Sequence, residues 1–326
     1  MPSSRYNWRS LALLVPTMNR PEKMRNLLES IVGQTISCGR IVIVDGGTSV
    51  RNVVMDFADR LPVEHYICQP PGQIRQRNMG IGLLDDRTAL VGCLDDDIVL
   101  LPTALEKMIE FWNRCPPDTA GISFNIVNMP PDRHTWLKGV MGLSSPAQGQ
   151  VLPSGRNTPI FAVTTDLQTQ WLCGGATVWR REILTKYRNR EANARWAIAE
   201  DLVFSYPIGK RYPLYVCADA PVRHEHVQDH QRKLKHKYYG RTETLWRLYF
   251  VAMNEELSRL HYFWMQFTTL AARIMMGVFL FRPKHLQFAA GQIEGLFVGI
   301  RVLATGQDLS TLVNEKTGSD DEPRKK

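Results

Sequence analysis

An α/β fold with a mostly parallel sheet, followed by a helical extension, is what this 326-residue sequence predicts. Three observations carry the expectation. Short apolar, β-branched runs such as Arg40–Val44 (RIVIV) read as strands covered on both faces. They alternate with helix-period segments over short connections, as in βαβ units. Beyond residue 229 the strands stop and the pattern becomes helical and basic. A hydrophobic content of 44% with 22% charged residues is that of a globular chain and excludes wholesale disorder.

The elements follow in order. Leu11 to Pro16 is an apolar run of strand length. Thr17-Met18-Asn19-Arg20-Pro21 then opens a helix running to about Gln34, with Asn19 and Glu22 spaced as a capping box and Pro21 suited to the first turn. The RIVIV strand ends in Asp45-Gly46-Gly47. A second helix, a strand near Val63 to Cys68 and a helix from Gln73 to Leu84 come next. Ala89 to Leu94 is a strand that runs into Asp95-Asp96-Asp97, and a helix spans Thr103 to Asn113. Met129 to Pro159, rich in Pro, Gly and Ser, reads as a long loop or insertion. Strands are expected at Ile160 to Thr165, Ala176 to Trp179 and Leu214 to Ala218, with a helix at Arg181 to Tyr187 and a short one after Glu200-Asp201. Asn314 to Lys326 has the composition of a disordered tail.

Three adjacent carboxylates at a strand end repel each other and are costly to bury. A hard divalent cation relieves both problems, because Mg²⁺ or Mn²⁺ takes oxygen ligands. An acidic surface loop is the plain alternative. Ligands of open parallel sheets bind beyond the carboxyl ends of the strands, and Thr17, Asn19, Asp45 and Asp95 to Asp97 all fall at such ends. A shared crevice is therefore expected.

The formal charge of +8 and the pI near 9.2 point to an anionic partner: nucleotide, acidic membrane surface or nucleic acid. A nucleic-acid binder would leave the acidic clusters without a role, so none is expected. The six scattered cysteines, with no CxxC spacing, read as reduced thiols of a cytosolic protein. Met1 to Ser10 lacks the apolar core of a signal peptide, so export is not expected. Tyr262 to Phe281 is long enough to cross a bilayer, but Arg273 near its middle and Gln266 argue against spanning. Leu260, Phe263, Trp264, Phe267, Leu270, Ala271, Ile274 and Val278 form one apolar face, which suits a packed or membrane-surface helix.

LALLVPTMNR, IVIVDGG, QIRQRNMGIGLL, VGCLDDD, AEDLVF and VRHEH, in this order, resemble family 2 glycosyltransferases of GT-A fold over about residues 10 to 228. The resemblance implies a GT-A catalytic domain at 10–228; the pattern and composition beyond it predict a helical extension at 229–313 for acceptor or membrane-surface association and a disordered tail at 314–326. It implies an inverting, metal-dependent transfer of one sugar from a nucleoside-diphosphate-sugar donor to a glycan or lipid-linked acceptor, in cell-surface polysaccharide or glycolipid synthesis. Pro16, Thr17, Asn19, Arg20 and Asp45 match the positions that hold the nucleotide; Arg75, Arg77 and Asn78 lie along it. Asp95 to Asp97 correspond to the DxD motif, with Asp97 on Mg²⁺ or Mn²⁺ and Asp95 and Asp96 on ribose, sugar hydroxyls or the metal. Asp201 of the ED pair matches the catalytic base, with Glu200 as its substitute. His224 or His226 completes the metal site, and spacing does not choose between them. Trp171, Gly174 and Gly175 match the floor of the pocket. No QxxRW motif follows the ED pair, which disfavours processive synthesis. The basic stretch holding Arg223, Arg232, Lys233, Lys235, Lys237, Arg241 and Arg247 is expected to face the diphosphate or anionic lipid on the cytoplasmic side of a membrane. A nucleotidyltransferase, or a non-catalytic nucleotide-sugar binder of GT-A fold, are the alternatives; the first would be expected to carry a Gly-rich loop after the first strand. Oligomeric state is not legible.

Overall fold

The computed structural model describes residues 5–188, 199–225 and 236–314. In chain order the elements are β1 (Leu11–Thr17), α1 (Pro21–Val32), β2 (Arg40–Asp45), α2 (Arg51–Met55), β3 (Val63–Ile67), α3 (Gln73–Gly82), β4 (Leu90–Leu94), β5 (Ile98–Leu100), α4 (Ala104–Arg114) and β6 (Gly121–Ile126). There follow α5 (Trp136–Val140), β7 (Leu167–Thr169), β8 (Ala176–Arg180), α6 (Arg181–Lys186), α7 (Glu200–Gly209), β9 (Leu214–His224), α8 (His236–Met253), α9 (Arg259–Phe279), α10 (Pro283–Thr305) and α11 (Thr311–Asn314). The predicted tail beyond 314 and the expected basic residues Arg232, Lys233 and Lys235 lie outside the described residues.

The chain divides into two compact units. The first comprises Met1–Asp132, Pro159–Glu191 and Phe204–His226. The second comprises Arg133–Thr158, Ala192–Val203 and Val227–Lys326, so two segments from between the strands join the helical extension.

The first unit is built on one sheet with strand order β3-β2-β1-β4-β8-β6-β9-β5, and β7 pairs with β9. β1, β2, β3, β4, β6 and β9 run one way, while β5, β7 and β8 run against them, so the sheet is mostly parallel. β1 is buried along its whole length and β2 from Ile41 onward, as continuous β-branched runs require. Leu13, Ile43, Met24, Leu28 and Phe124 share the core on one face; Leu14, Val42, Val91 and Trp179 share the core on the other.

Three sequence expectations change. Asn19 does not cap α1: the residue before the helix is Arg20, which makes no side-chain cap bond. Asn19 sits at φ 55°, in the left-handed region that Asn tolerates, and its Oδ1 accepts from the Thr48 N–H at 3.2 Å. Ile160 to Thr165 forms no strand. The Val163 N–H and carbonyl are instead satisfied by the side-chain amide of Asn125, at 3.1 and 2.9 Å, and Ala162 has φ 36°. Finally β6, which the sequence reading left unassigned, is a buried strand inserted between β8 and β9.

In the second unit, α10 packs along α8 through Gly291, Gly295 and Gly299. A Cβ at Gly291 would meet the Lys237 backbone, and one at Gly295 would lie 2.9 Å from the Arg241 carbonyl oxygen, so only glycine permits this approach. Tyr262 of α9 is fully buried and donates to the Thr244 carbonyl at 3.0 Å. Burial pushes the Tyr262 phenol well above its ordinary range. Arg247, expected at a lipid or diphosphate surface, is buried and donates to the Gly155 carbonyl, with Glu243 at 3.9 Å. Lys237 and Arg241 pair with Glu294 at 3.0 and 3.3 Å.

Candidate active site

Backbone register in the first unit aligns the acidic positions. β1 pairs with β4 with Leu14 opposite Cys93, so Thr17 and Asp96 each lie three residues further along. On the other side of β1, Thr17 is opposite Asp45. Three parallel strands therefore end at one level, which is why their polar residues converge. The antiparallel pair of β5 and β9 supplies the last member: Ile98 is opposite His224, and the Glu225 N–H donates to the Asp97 carbonyl at 2.8 Å.

The three aspartates have different partners. Asp96 turns inward, where Thr17 Oγ1 donates to one oxygen at 2.7 Å and Arg20 Nη1 to the other at 2.8 Å. Burial raises the Asp96 carboxyl above its usual range, against the opposing pull of Thr17 and Arg20. Asp97 faces His224 Nε2 at 3.0 Å and Arg20 at 3.5 Å. Asp95 accepts from Arg77 Nη2 at 2.8 Å and Gln73 Nε2 at 3.1 Å, and its backbone N–H donates to the Gly175 carbonyl at 2.8 Å. Two guanidiniums thus offset two of three clustered carboxylates, and the remaining negative charge invites a cation.

Asp95, Asp97 and His224 can each direct one ligand atom to a common point, all within 4.8 Å of one another. Carboxylates are the donors that Mg²⁺ and Mn²⁺ prefer. The donor set fits either ion. Asp95 thereby belongs to the candidate cation group, whereas Asp96 faces Thr17 and Arg20. Asn128 fixes His224 by bonding both its backbone N–H and its carbonyl, at 2.9 and 3.0 Å. His226 lies outside the described residues.

Around this centre, Pro16 is buried at the end of β1. Asp45 is fully buried; one oxygen accepts from the Gly47 N–H at 2.7 Å and the other faces His65 Nε2 at 3.3 Å. Arg75 is half-buried and donates to the Pro70 carbonyl, and Asn78 is half-buried on the same helix. Trp171 is buried at 6% exposure, which leaves little ring surface for stacking on a sugar. Gly174 is half-buried, and a side chain at Gly175 would strike the Asp95 carboxylate.

Sequence reasoning missed Gln73, Gln76 and Asn128. Gln76 is buried and its Nε2 donates to the Thr17 and Val44 carbonyls at 2.7 and 2.6 Å, stitching β1, β2 and α3 together. The signal was present, since Gln73, Gln76 and Arg77 are spaced to share one helix face.

Glu200 and Asp201 begin α7 and are assigned to the second unit, both half-buried. Asp201 Oδ1 accepts from the Leu202 N–H at 2.8 Å. Within that unit Asp201 is in electrostatic reach of buried Arg247. Burial first, and then Arg156, lower the Arg247 guanidinium to about 10, while Glu243, Tyr262 and Asp201 oppose the shift.

Residues 12–188, more than half of the chain, match the model of Glycosyl transferase family 2, and the chain belongs to that family. It is a glycosyltransferase with the GT-A fold. A mannosyltransferase, PcManGT from Pyrobaculum calidifontis, solved with GDP-Man and Mn²⁺, has a TM-score of 0.54 at 16% identity, over 99% of this chain and 90% of that one. GalNAc-T7, solved with UDP, GalNAc and Mn²⁺, has a TM-score of 0.55 at 14% identity, over 74% of this chain and 50% of that one. S. aureus TarS matches with a TM-score of 0.47 at 15% identity over 82% of this chain, which spans 44% of TarS. Comparison with curated protein sequences finds no match.

Proposed function

We propose that the enzyme transfers one sugar, with inversion, from a nucleoside-diphosphate-sugar to an acceptor hydroxyl on a glycan or lipid-linked molecule, using Mg²⁺ or Mn²⁺. The observation that carries this reading is the convergence of Asp95, Asp97 and His224 ligand atoms within 4.8 Å, flanked by Arg20 and Arg77. That two solved proteins of the same fold hold Mn²⁺ with GDP-Man, or with UDP and GalNAc, supports the assignment of donor and metal.

In this reading Asp95, Asp97 and His224 hold the ion. When bound, it would neutralise charge that develops on the leaving diphosphate. Arg20 and Arg77 keep the acidic group ordered and leave positive potential where an anionic donor is held. Thr17, Asn19 and Asp45 shape the nucleotide end. Asp201, or Glu200 in its place, accepts the acceptor hydroxyl proton as the oxygen attacks the anomeric carbon. The new glycosidic bond forms as the bond from that carbon to the diphosphate breaks, and a single displacement inverts the configuration. The enzyme works at the cytoplasmic face of a membrane, in polysaccharide or glycolipid assembly.

Incubating the purified full chain with UDP-, GDP- and dTDP-sugars, with and without Mn²⁺, tests the reading. Release of free nucleoside diphosphate only with metal supports it. Pyrophosphate release would instead indicate nucleotidyl transfer. Asp201→Asn is expected to keep donor affinity and lose transfer; wild-type turnover by that variant would refute the base assignment.

A further inference from the structure

We propose that the exposed apolar stripe of α9, continued by α5, docks onto an anionic lipid bilayer with α9 lying in the plane of the headgroups. The surface deepens the reading above, because it rests on an enzyme that meets its acceptor at a membrane.

On α9, Leu260, Trp264, Phe267, Ile274 and Val278 recur at spacings of three, four or seven residues, Met275 lies beside Ile274, and all six face solvent, Phe267 at 64% exposure. The opposite side of the helix holds Tyr262, Met265 and Gln266, which are buried. α5 belongs to the same unit and extends the stripe. Trp264 Nε1 donates to the Val140 carbonyl at 2.8 Å, which sets exposed Trp136, Leu137 and Val140 beside it. The turn after α9 adds Phe281 at 89% exposure. An apolar stripe this long, recurring over about five turns of helix, is far more than scattered surface hydrophobics require.

Charge names the occupant. Residues 133–158 contain no Asp or Glu, and 259–305 contain one acid, Glu294, already paired with Lys237 and Arg241. Arg133, Arg259, Arg282, Lys284 and Arg301 are exposed in the same segments. A second copy of this chain seated on the stripe would set these cations against their own equivalents, since a two-fold interface pairs a surface with itself. Anionic headgroups pair with them instead, and tryptophans favour the level of the headgroups.

The helices lie on the bilayer and do not cross it. α10 is the one helix among the described residues long and apolar enough to span, but a third of it is buried and its glycine face is closed against α8. On α9, Arg273 lies over the Phe288 ring at 3.4 Å and is directed at Glu243, so its cation is held within the helical unit. A helix packed on its own unit along one side and open along an apolar stripe on the other can lie in the plane of the interface.

Sedimentation of the full chain with large unilamellar vesicles tests this. At moderate salt it is expected to pellet with phosphatidylcholine containing about a third phosphatidylglycerol and to stay in solution with phosphatidylcholine alone. The double variant Phe267→Ser, Val278→Ser should bind at least about tenfold more weakly with its melting temperature unchanged, because both side chains are exposed. Failure of the wild type to pellet, equal pelleting on neutral vesicles, or equal pelleting of the variant overturns the proposal. A dimer by light scattering that the double variant dissociates, with no vesicle binding, assigns the stripe to a second copy and also overturns it. Metal-dependent donor hydrolysis in vesicle-free buffer reports separately on the proposed reaction, and the double variant should retain it.

Discussion

Gly175 offers the sharpest test of the metal centre, because a single added methyl group acts on it by geometry alone. Its carbonyl accepts the Asp95 N–H at 2.8 Å, so the two residues cannot separate without breaking a backbone bond. A Cβ at Gly175 would lie 2.8 Å from Asp95 Cγ and closer still to Oδ2, whereas ordinary contact begins at 3.4 Å. In Gly175→Ala the carboxylate must therefore move by about 0.6 Å or more, and its bonds to Arg77 and Gln73 move with it. A misplacement approaching 1 Å in a reacting site costs about a hundredfold in rate. The expected result is a fall of about that size in kcat/KM, with weaker Mn²⁺ binding by electron paramagnetic resonance and little loss of secondary structure by circular dichroism. Wild-type Mn²⁺ affinity and turnover in Gly175→Ala would refute the assignment of Asp95 to the metal group.

Other outcomes follow from the same geometry. Asp97→Ala should abolish both activity and the response to added Mn²⁺, measured as donor hydrolysis against metal concentration. Gln76→Leu removes the side-chain donor shared by the buried Thr17 and Val44 carbonyls, at about 1–3 kcal/mol, and should lower the denaturant midpoint measurably while Gln76→Glu does not rescue it. Gly291→Val forces α10 off the Lys237 backbone, and overpacking of this kind costs about 1–3 kcal/mol; tryptophan fluorescence during unfolding should register the loss. Burial pushes the thiols of Cys38 and Cys217 to about 12 and of Cys93 to about 11. Unfolded thiols ionise near pH 8.5, so the unfolded chain binds fewer protons above that pH and stability should fall as pH rises from about 9 to 11. Urea unfolding across that range checks the sign, and alkylation by iodoacetamide at pH 8 should spare these three cysteines until the chain unfolds.

Much of the first unit was legible because its strands are continuous apolar runs and its helices carry amphipathic periods. Asp95 to Asp97 stood out because such a charge density at a strand end needs a partner. The division of labour among them was not legible. Asp96 is taken by Thr17 and Arg20, which are distant in sequence and meet it only through the register of β1 on β4. β6 was missed because Gly121 to Ile126 is short and mixes Ser and Asn into an apolar run, and its Asn125 spends its side chain on the Val163 backbone. Asn19 looked like a cap by spacing, yet it serves the Thr48 turn across the sheet instead. The α9 stripe was visible as a period, but periodicity cannot tell a face packed on protein from one left open.

The sequence by itself therefore determined the family, the α/β class and the residue types able to hold a cation. Those depend on local pattern and on motifs that survive as short strings. Only the tertiary structure decided which aspartate faces His224, which is held by Arg20, and which side of α9 is exposed. Each of these depends on strand register or helix packing between segments tens to more than a hundred residues apart, and no local pattern encodes it.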